Sequence, residues 1–392
     1  MENTMQYRRE AKTGKELSAL GFGCMRFPPS GALREELIMS AYEAGVNYFD
    51  TAYLYPGSES SLGGILKKHG VREKVFIADK LPHTKCRSSE DFDAFFRESL
   101  SRLQTDYIDY YLIHNIGELS SWERLTQLGI EDWIADKKQG GEIRAIGFSF
   151  HGAPASFVPL LDAYDWDFCQ IQYNYMNETN QAGTAGLRAI NEGGMAAIIM
   201  EPLLGGKLAD KLPRTARDLF DAVVPNRTPA AWALKWLWDK PEITVVLSGM
   251  NAMSQLKENL ELVSSSPVGC LTDKERAAYK KAREAISESY RAPCTGCNYC
   301  MPCPHGVNIP ACFNGYNMSY VLGFIGGITQ YINGTASFSV KNGGAGKCVG
   351  CGVCAAKCPQ KIDIPDKMVD VKRRMEPFYV RAALVVVRKF MS

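Results

Sequence analysis

Eight short β-rich runs recur along the first 270 residues, each separated from the next by an amphipathic stretch. They are Leu20–Met25, Val46–Asp50, Val75–Ala78, Tyr107–His114, Ile143–Ser149, Phe168–Tyr173, Met195–Met200 and Ile243–Leu247. The intervening segments, such as Glu35–Ala44, Asp91–Leu103 and Pro229–Trp238, carry apolar residues at helical spacing, with Pro229 suited to a first turn. Eight strands alternating with helices over roughly 250 residues predict a closed parallel (β/α)8 barrel, an α/β fold of the TIM type. An open doubly wound sheet would need a glycine-rich dinucleotide turn after its first strand. Gly21-Phe22-Gly23-Cys24 lacks the third glycine and the helix start, which argues against it. Ahead of the first strand, Met5–Glu10 and Glu16–Leu20 flank Lys12-Thr13-Gly14 and predict a hairpin that plugs the barrel bottom.

The cysteines divide the chain. Nine of the thirteen lie beyond residue 290, after a charged helix predicted over Leu271–Tyr290 with Thr272 and Glu275 as a capping box. We therefore expect a barrel over residues 1–285 and a cysteine-rich domain over 286–392. With 45 basic and 43 acidic residues, the charge balance gives no reason to expect a nucleic-acid partner. No apolar stretch reaches the roughly 18 residues needed to span a bilayer. The N-terminus MENTMQYRRE has no apolar core of a signal peptide, so a cytoplasmic location without a membrane is expected. In such a setting, clustered cysteines point to metal ligation rather than to disulfides.

Reactive groups of (β/α)8 barrels gather at the C-terminal strand ends. There the second run reads FDTAYLYPGSES, the third FIADKLP, the fourth YYLIHN and the fifth IGFSFHG. Asp50, Tyr55, Lys80 and His114 thus share one rim. Each alone has an ordinary reading as an ion-pair member or packed amphipath, but together and in this order they resemble the aldo-keto reductases across the whole barrel. The resemblance implies Tyr55 as general acid, Lys80 as its ammonium partner, Asp50 holding the lysine, and His114 orienting a small-molecule carbonyl substrate. The chemistry agrees. Hydride reduction of a carbonyl creates an alkoxide that needs a proton, and a nearby ammonium is expected to lower the tyrosine pKa from its usual value near 10. A neutral His114 can donate to the oxygen as its charge develops.

The same resemblance implies a nicotinamide pocket. Ser149 and Gln170 match carboxamide-holding positions, whereas Phe150 stands where the family has asparagine. His151 is read by default as a loop histidine. Met200 stands where an aromatic ring often stacks, and Glu201 and Leu203 follow it. The turn Leu204-Gly205-Gly206-Lys207 suits a pyrophosphate, with Lys207 as counter-charge, and a plain tight turn is an equal reading. Ser248 and Gly249 form the adenosine-end loop, and Glu258 and Asn259 the adenine contacts. Gln255 replaces the arginine that pairs with a 2′-phosphate, and an amide is no substitute for that charge. NADPH, NADH and a flavin all stay open as the barrel cofactor.

Beyond residue 290, Cys294, Cys297, Cys300 and Cys303 form C-x2-C-x2-C-x2-C-P, and Cys348, Cys351, Cys354 and Cys358 form C-x2-C-x2-C-x3-C-P. Paired C-x2-C units would suit zinc. Triplets with a fourth cysteine and a proline favour two [4Fe–4S] clusters, each fourth cysteine serving the other cluster. The expected sets are Cys294, Cys297, Cys300 with Cys358, and Cys348, Cys351, Cys354 with Cys303. Cys312 falls outside both and reads as a buried thiol. The long spacer, apolar and partly helical over Ser319–Ile332, makes this module resemble the α-helical ferredoxin domains of multi-centre oxidoreductases. The tail from Pro377 reads as a helix docked against the barrel or a partner, being too short to span a membrane.

The expected protein is an oxidoreductase that reduces an aldehyde or ketone with NAD(P)H, coupled to or stabilised by two clusters. The alternative is a reductase passing electrons between a ferredoxin-like partner and a redox cofactor in the barrel. Substrate identity and oligomeric state have no readable code.

Overall fold

The structure, a computed structural model, describes residues 4–391 except 211, 289, 295, 297, 298, 339–341 and 359. Eight parallel strands close into a barrel: β3 (Leu20–Gly23), β4 (Tyr48–Asp50), β5 (Phe76–Leu81), β6 (Ile108–Ile116), β7 (Ile143–Phe150), β8 (Phe168–Gln172), β9 (Ala196–Met200) and β10 (Val245–Ser248). Each pairs with the next in sequence, and β10 closes on β3. All eight expected strands are present, with ends moved by a few residues. The hairpin is β1 (Tyr7–Arg9) with β2 (Glu16–Ser18), antiparallel. Its Leu17 is fully buried and belongs to the apolar cluster that fills the barrel, so the expected plug is real.

Strand alternation separates two cores. Tyr48, Ala78, Tyr110, Leu112, Phe168, Ile198 and Leu247 fill the lumen. The intervening residues, among them Phe49, Ile77, Tyr111 and Phe148, pack outward against the helices. Helix starts carry the expected caps. Thr228 Oγ1 accepts from the Ala231 amide at 3.0 Å, with Pro229 in the first turn of Pro229–Trp238. The Thr272–Glu275 box forms too, the Thr272 amide donating to Glu275 Oε2 at 2.8 Å and the Glu275 amide to Thr272 Oγ1 at 3.3 Å. The helix it opens runs Asp273–Glu288, so the expected 285/286 boundary falls inside a continuous helix.

The remaining chain folds as a helical unit against the barrel. The spacer, expected to be partly helical over Ser319–Ile332, forms two helices, Ile309–Val321 and Phe324–Gly334, turned at Gly323 with φ 84°. Glycines let these helices touch. A Cβ on Gly327 would meet the Ser319 amide nitrogen at 2.3 Å, and one on Gly315 would meet Tyr331 Cβ at 2.5 Å. Gly326 and Gly327 are thus core packing, as expected, while Ile325 between the turn and the contact is exposed. Met318 and Leu322 belong to the barrel's own apolar cluster, while Val307, Phe313, Tyr331 and Met368 are among those that form a separate one. The tail forms the expected helix, Phe378–Met391. Phe378 and Tyr379 are exposed, and among its described side chains Leu384 alone is buried. Among the described residues, no helix is long and apolar enough to cross a membrane.

Candidate active site and cysteine-rich domain

Asp50 ends β4, Lys80 lies on the lumen side of β5, His114 near the end of β6, and Tyr55 in the loop after β4. The barrel brings all four to one mouth. Lys80 Nζ donates to Asp50 Oδ2 at 2.7 Å and to the Thr51 carbonyl at 2.6 Å. The ammonium stands 5.1 Å from the Tyr55 ring centroid, and the His114 ring meets Tyr55 edge-on at 5.7 Å. Asp50 and Lys80 are buried.

Burial dominates the electrostatics. It opposes the charge on Lys80, but Asp50 and Tyr55 outweigh it and raise the lysine pKa, so the ammonium persists. Burial raises the Asp50 pKa, with Lys80 and a hydrogen bond from Gln170 acting against it. For Tyr55, burial raises the pKa more than Lys80 lowers it, so the phenol stands above its ordinary value. The expected acidification is therefore overturned in this state: desolvation of a phenolate costs more than one shared ammonium returns. His114 is held neutral, its pKa well below the usual value through burial and then the charge of Lys80.

Around this centre, strand register pairs Ser149 with Gln170 and Gln172 with Met200. Ser149 Oγ accepts from the Asn115 amide at 2.7 Å, leaving its own proton to donate. Gln170 Oε1 is buried and has no hydrogen-bond partner among the described residues. Gln172, two residues on along the same strand face, is buried with neither amide atom partnered, a polar group that sequence reading missed although the period of two announces it. Unpaired buried amides are costly unless a ligand completes them, and an acceptor with a nearby hydroxyl donor suits a carboxamide. Phe150 points outward and packs on Phe157 at 4.9 Å, so its strand parity removes it from the pocket. His151 Nδ1 lies 3.1 Å from Gln181 Oε1 in the following loop.

In the turn after β9, Glu201, Leu204, Gly205 and Gly206 all have positive φ, between 48° and 91°. The Leu204 and Gly206 amides are engaged by the Glu201 and Leu203 carbonyls, so the turn holds itself. Arg26, overlooked in the sequence, reaches across from the segment after β3 to the Gly205 carbonyl at 3.3 Å. Lys207 opens the short helix Lys207–Asp210, and its side chain lies outside the described residues. Met200 packs at the top of the lumen cluster. Asn259 Nδ2 donates to Ser248 Oγ at 3.0 Å, tying the helix Met253–Ser264 to the end of β10 beside exposed Gly249. Glu258 accepts from Thr228 Oγ1, and Gln255 Oε1 accepts from the Asn251 amide at 2.9 Å.

In the C-terminal unit, Cys303, Cys348, Cys351 and Cys354 line one pocket, closed by Val307, Ile364 and Met368. Cys300 is buried in the same apolar cluster, with Cys294 and Cys358 at its edge, while Cys297 lies outside the described residues. Among the described residues no three His, Cys, Asp or Glu side chains converge on a single-ion position. Cys312 is fully buried with its sulfur 3.4 Å from the Gly343 carbonyl, and burial pushes its thiol pKa well up.

Known proteins share these features. Residues 19–282 match the aldo/keto reductase family and residues 293–362 a 4Fe-4S dicluster domain. The chain is 27% identical to protein tas of Escherichia coli over 66% of its length and 92% of that protein. It is 32% identical to an aldo-keto reductase of Mycolicibacterium vanbaalenii over 59% of this chain and 78% of that one. The aldo-keto reductase AKR11C1 from Bacillus halodurans superposes with a TM-score of 0.60 at 26% identity, covering 71% of this chain and 96% of that one. A match that spans the whole closed barrel, together with the four side chains at its mouth, carries one conclusion: the chain belongs to the aldo/keto reductase family, with a 4Fe-4S domain at its C-terminal end.

Proposed function

We propose that the barrel reduces an aldehyde or ketone with NAD(P)H, Tyr55 giving the proton to the carbonyl oxygen. The observation that carries this reading is the buried Lys80–Asp50 pair beneath the Tyr55 hydroxyl, beside a neutral His114. Ser149 and Gln170 would hold the carboxamide, Met200 the ring face, the Glu201–Lys207 turn the pyrophosphate, and Ser248, Gly249, Glu258 and Asn259 the adenosine end. Nicotinamide bound there would supply a hydride. The chain supplies the rest: His114 orients the carbonyl through an imidazole N–H, and Tyr55 protonates the forming alkoxide. A phenol with a raised pKa is fully protonated at neutral pH, so the acid is present when needed. As the proton leaves, Lys80 stabilises the phenolate, and Asp50 keeps the lysine charged and aimed.

In the C-terminal domain, Cys303, Cys348, Cys351 and Cys354 would hold one [4Fe–4S] cluster and Cys294, Cys297, Cys300 and Cys358 a second. A second reading, electron transfer from a ferredoxin-like partner to a redox cofactor in the barrel, draws support from Gly296. A Cβ there would stand 2.7 Å from Thr179 Oγ1, so the first cysteine loop lies directly on a barrel loop.

The test is anaerobic purification, an absorption spectrum with iron counting, identification of the released cofactor, and turnover of an aldehyde and ketone panel by the wild type and Tyr55→Phe. Loss of reduction in the variant with cofactor binding retained supports the reading, and equal turnover removes Tyr55 as the acid.

A further inference from the structure

We infer that the face around Cys351 is a docking surface for an acidic one-electron carrier protein, and that the cluster framed by Cys303, Cys348, Cys351 and Cys354 is the one that meets it. This rests on the reading that these four cysteines hold a cluster.

The two cysteine runs are not equivalent in their surroundings. The first touches the barrel, although its Tyr299 is exposed: besides the Gly296–Thr179 contact, Cys294 borders a cavity of about 160 Å³ shared with the barrel's Asn177, Thr179 and Asn180. Gln330 Oε1 ties the same loop down, accepting from Asn177 and Asn180, each at 3.2 Å. The second run has no barrel residue among those lining its pocket. It faces outward. Val349 and Val353, two residues either side of exposed Cys351, are 63% and 46% exposed. No described residue covers them.

The charge around this apolar centre is one-sided. Lys347, Lys357 and Lys361 are exposed on the segments that flank it. From residue 343 to 375 there are seven lysines and arginines against three aspartates, in a chain whose totals are 45 and 43. A small apolar centre with a basic rim is complementary to an acidic partner. Such charge raises the encounter rate more than it raises affinity, as a transient electron exchange requires, and small interfaces suffice for it. The exchange itself is simple: one electron leaves the reduced carrier and enters the oxidised cluster, with no bond made or broken and no proton moved.

The experiment uses the anaerobically purified full chain and a reduced acidic plant-type [2Fe–2S] ferredoxin as probe, following cluster bleaching by stopped flow across ionic strengths. The wild-type second-order rate should fall steeply as salt rises. The Lys347→Glu/Lys357→Glu/Lys361→Glu variant should react at least about tenfold more slowly at low salt and lose most of the salt dependence, with unchanged iron content and unchanged reduction by dithionite. A wild-type rate indifferent to salt, or equal rates in wild type and variant, would overturn the docking surface. So would light scattering that shows a wild-type dimer dispersed by the three substitutions, since a second copy would then own the face. Should Cys351→Ser leave the iron content intact, the cluster assignment beneath this inference fails instead, which the iron count separates from a failure of docking.

Discussion

Lys80 Nζ stands 2.7 Å from Asp50 Oδ2 with both side chains buried, so the ammonium that serves Tyr55 depends on a carboxylate that is itself withdrawn from water. Removing one partner strands the other. Lys80→Met should lose about 3–5 kcal/mol of stability through the unpaired Asp50, the usual cost of breaking a buried pair. Asp50→Asn/Lys80→Met should recover much of that loss while staying inactive. Denaturant melts of the single and double variants check this, and additive losses would show that the pair is not coupled.

Tyr55→Phe should keep the native melting temperature and lose about 10²–10⁴-fold in carbonyl reduction, the range of a positioned proton donor. The pH profile follows from the sign of the shift. The Tyr55 pKa is raised above its ordinary value near 10, and the acid form is lost only as pH rises through it. Reduction should therefore stay level from about pH 7 to about pH 9. A fall within that window, absent in Tyr55→Phe residual activity, would contradict the burial-dominated site.

The cysteine sets predict unequal consequences. Cys351→Ser should lose about half the iron and its share of visible absorption, since it removes one corner of one proposed cluster. Cys312→Ala should keep all the iron, because that sulfur is engaged with the Gly343 carbonyl outside both sets. Iron assays on anaerobic preparations distinguish the two, and iron loss in Cys312→Ala would reassign the ligands.

Burial, with Arg124 adding to it, lowers the His83 pKa to about 4. The unfolded chain takes up this proton near pH 6.5 while the folded one refuses it. The stability it carries is full above that value and drains away as pH falls toward about 4. Over that span the difference amounts to about 3 kcal/mol. His83→Gln should flatten this part of the stability curve relative to wild type, read from denaturant midpoints at stepped pH. An unchanged slope would place the titration elsewhere.

Gln255 occupies the first turn of the helix Met253–Ser264, behind the loop proposed for the adenosine end, where it accepts from the Asn251 amide. Gln255→Arg introduces the charge that a 2′-phosphate pairs with, and should shift relative affinity toward NADPH over NADH by about tenfold, worth about 1.4 kcal/mol. Fluorescence titration with both nucleotides measures it, and an unchanged ratio would remove this position from cofactor choice.

Much of the barrel was legible because its determinants are local. The period of two in Phe168–Gln172 and the helical spacing after Pro229 are properties of short segments, and eight such alternations leave few ways to close a core. The order Asp50, Tyr55, Lys80, His114 was legible for a related reason: strand ends converge once the barrel is granted. The spacer was harder. Residues Ser319–Ile332 read only as apolar and partly helical, because the break at Gly323 carries no charge or proline. The helical hairpin is set instead by Gly327 meeting Ser319 and Gly315 meeting Tyr331 across space.

By itself the sequence determined a two-part molecule, a closed barrel with its reactive side chains in order, and eight cysteines in two ligand-like runs. Tertiary structure alone decided which of those groups feel one another. It reversed the expected acidity of Tyr55, because desolvation is a property of everything packed around a hydroxyl. It turned Phe150 out of the pocket and left the Gln170 oxygen unpaired inside it. It also laid one cysteine loop against the barrel and turned the other toward solvent. Periodicity and spacing act along the chain, whereas burial and pairing are sums over neighbours far apart in sequence that only the closed fold brings together.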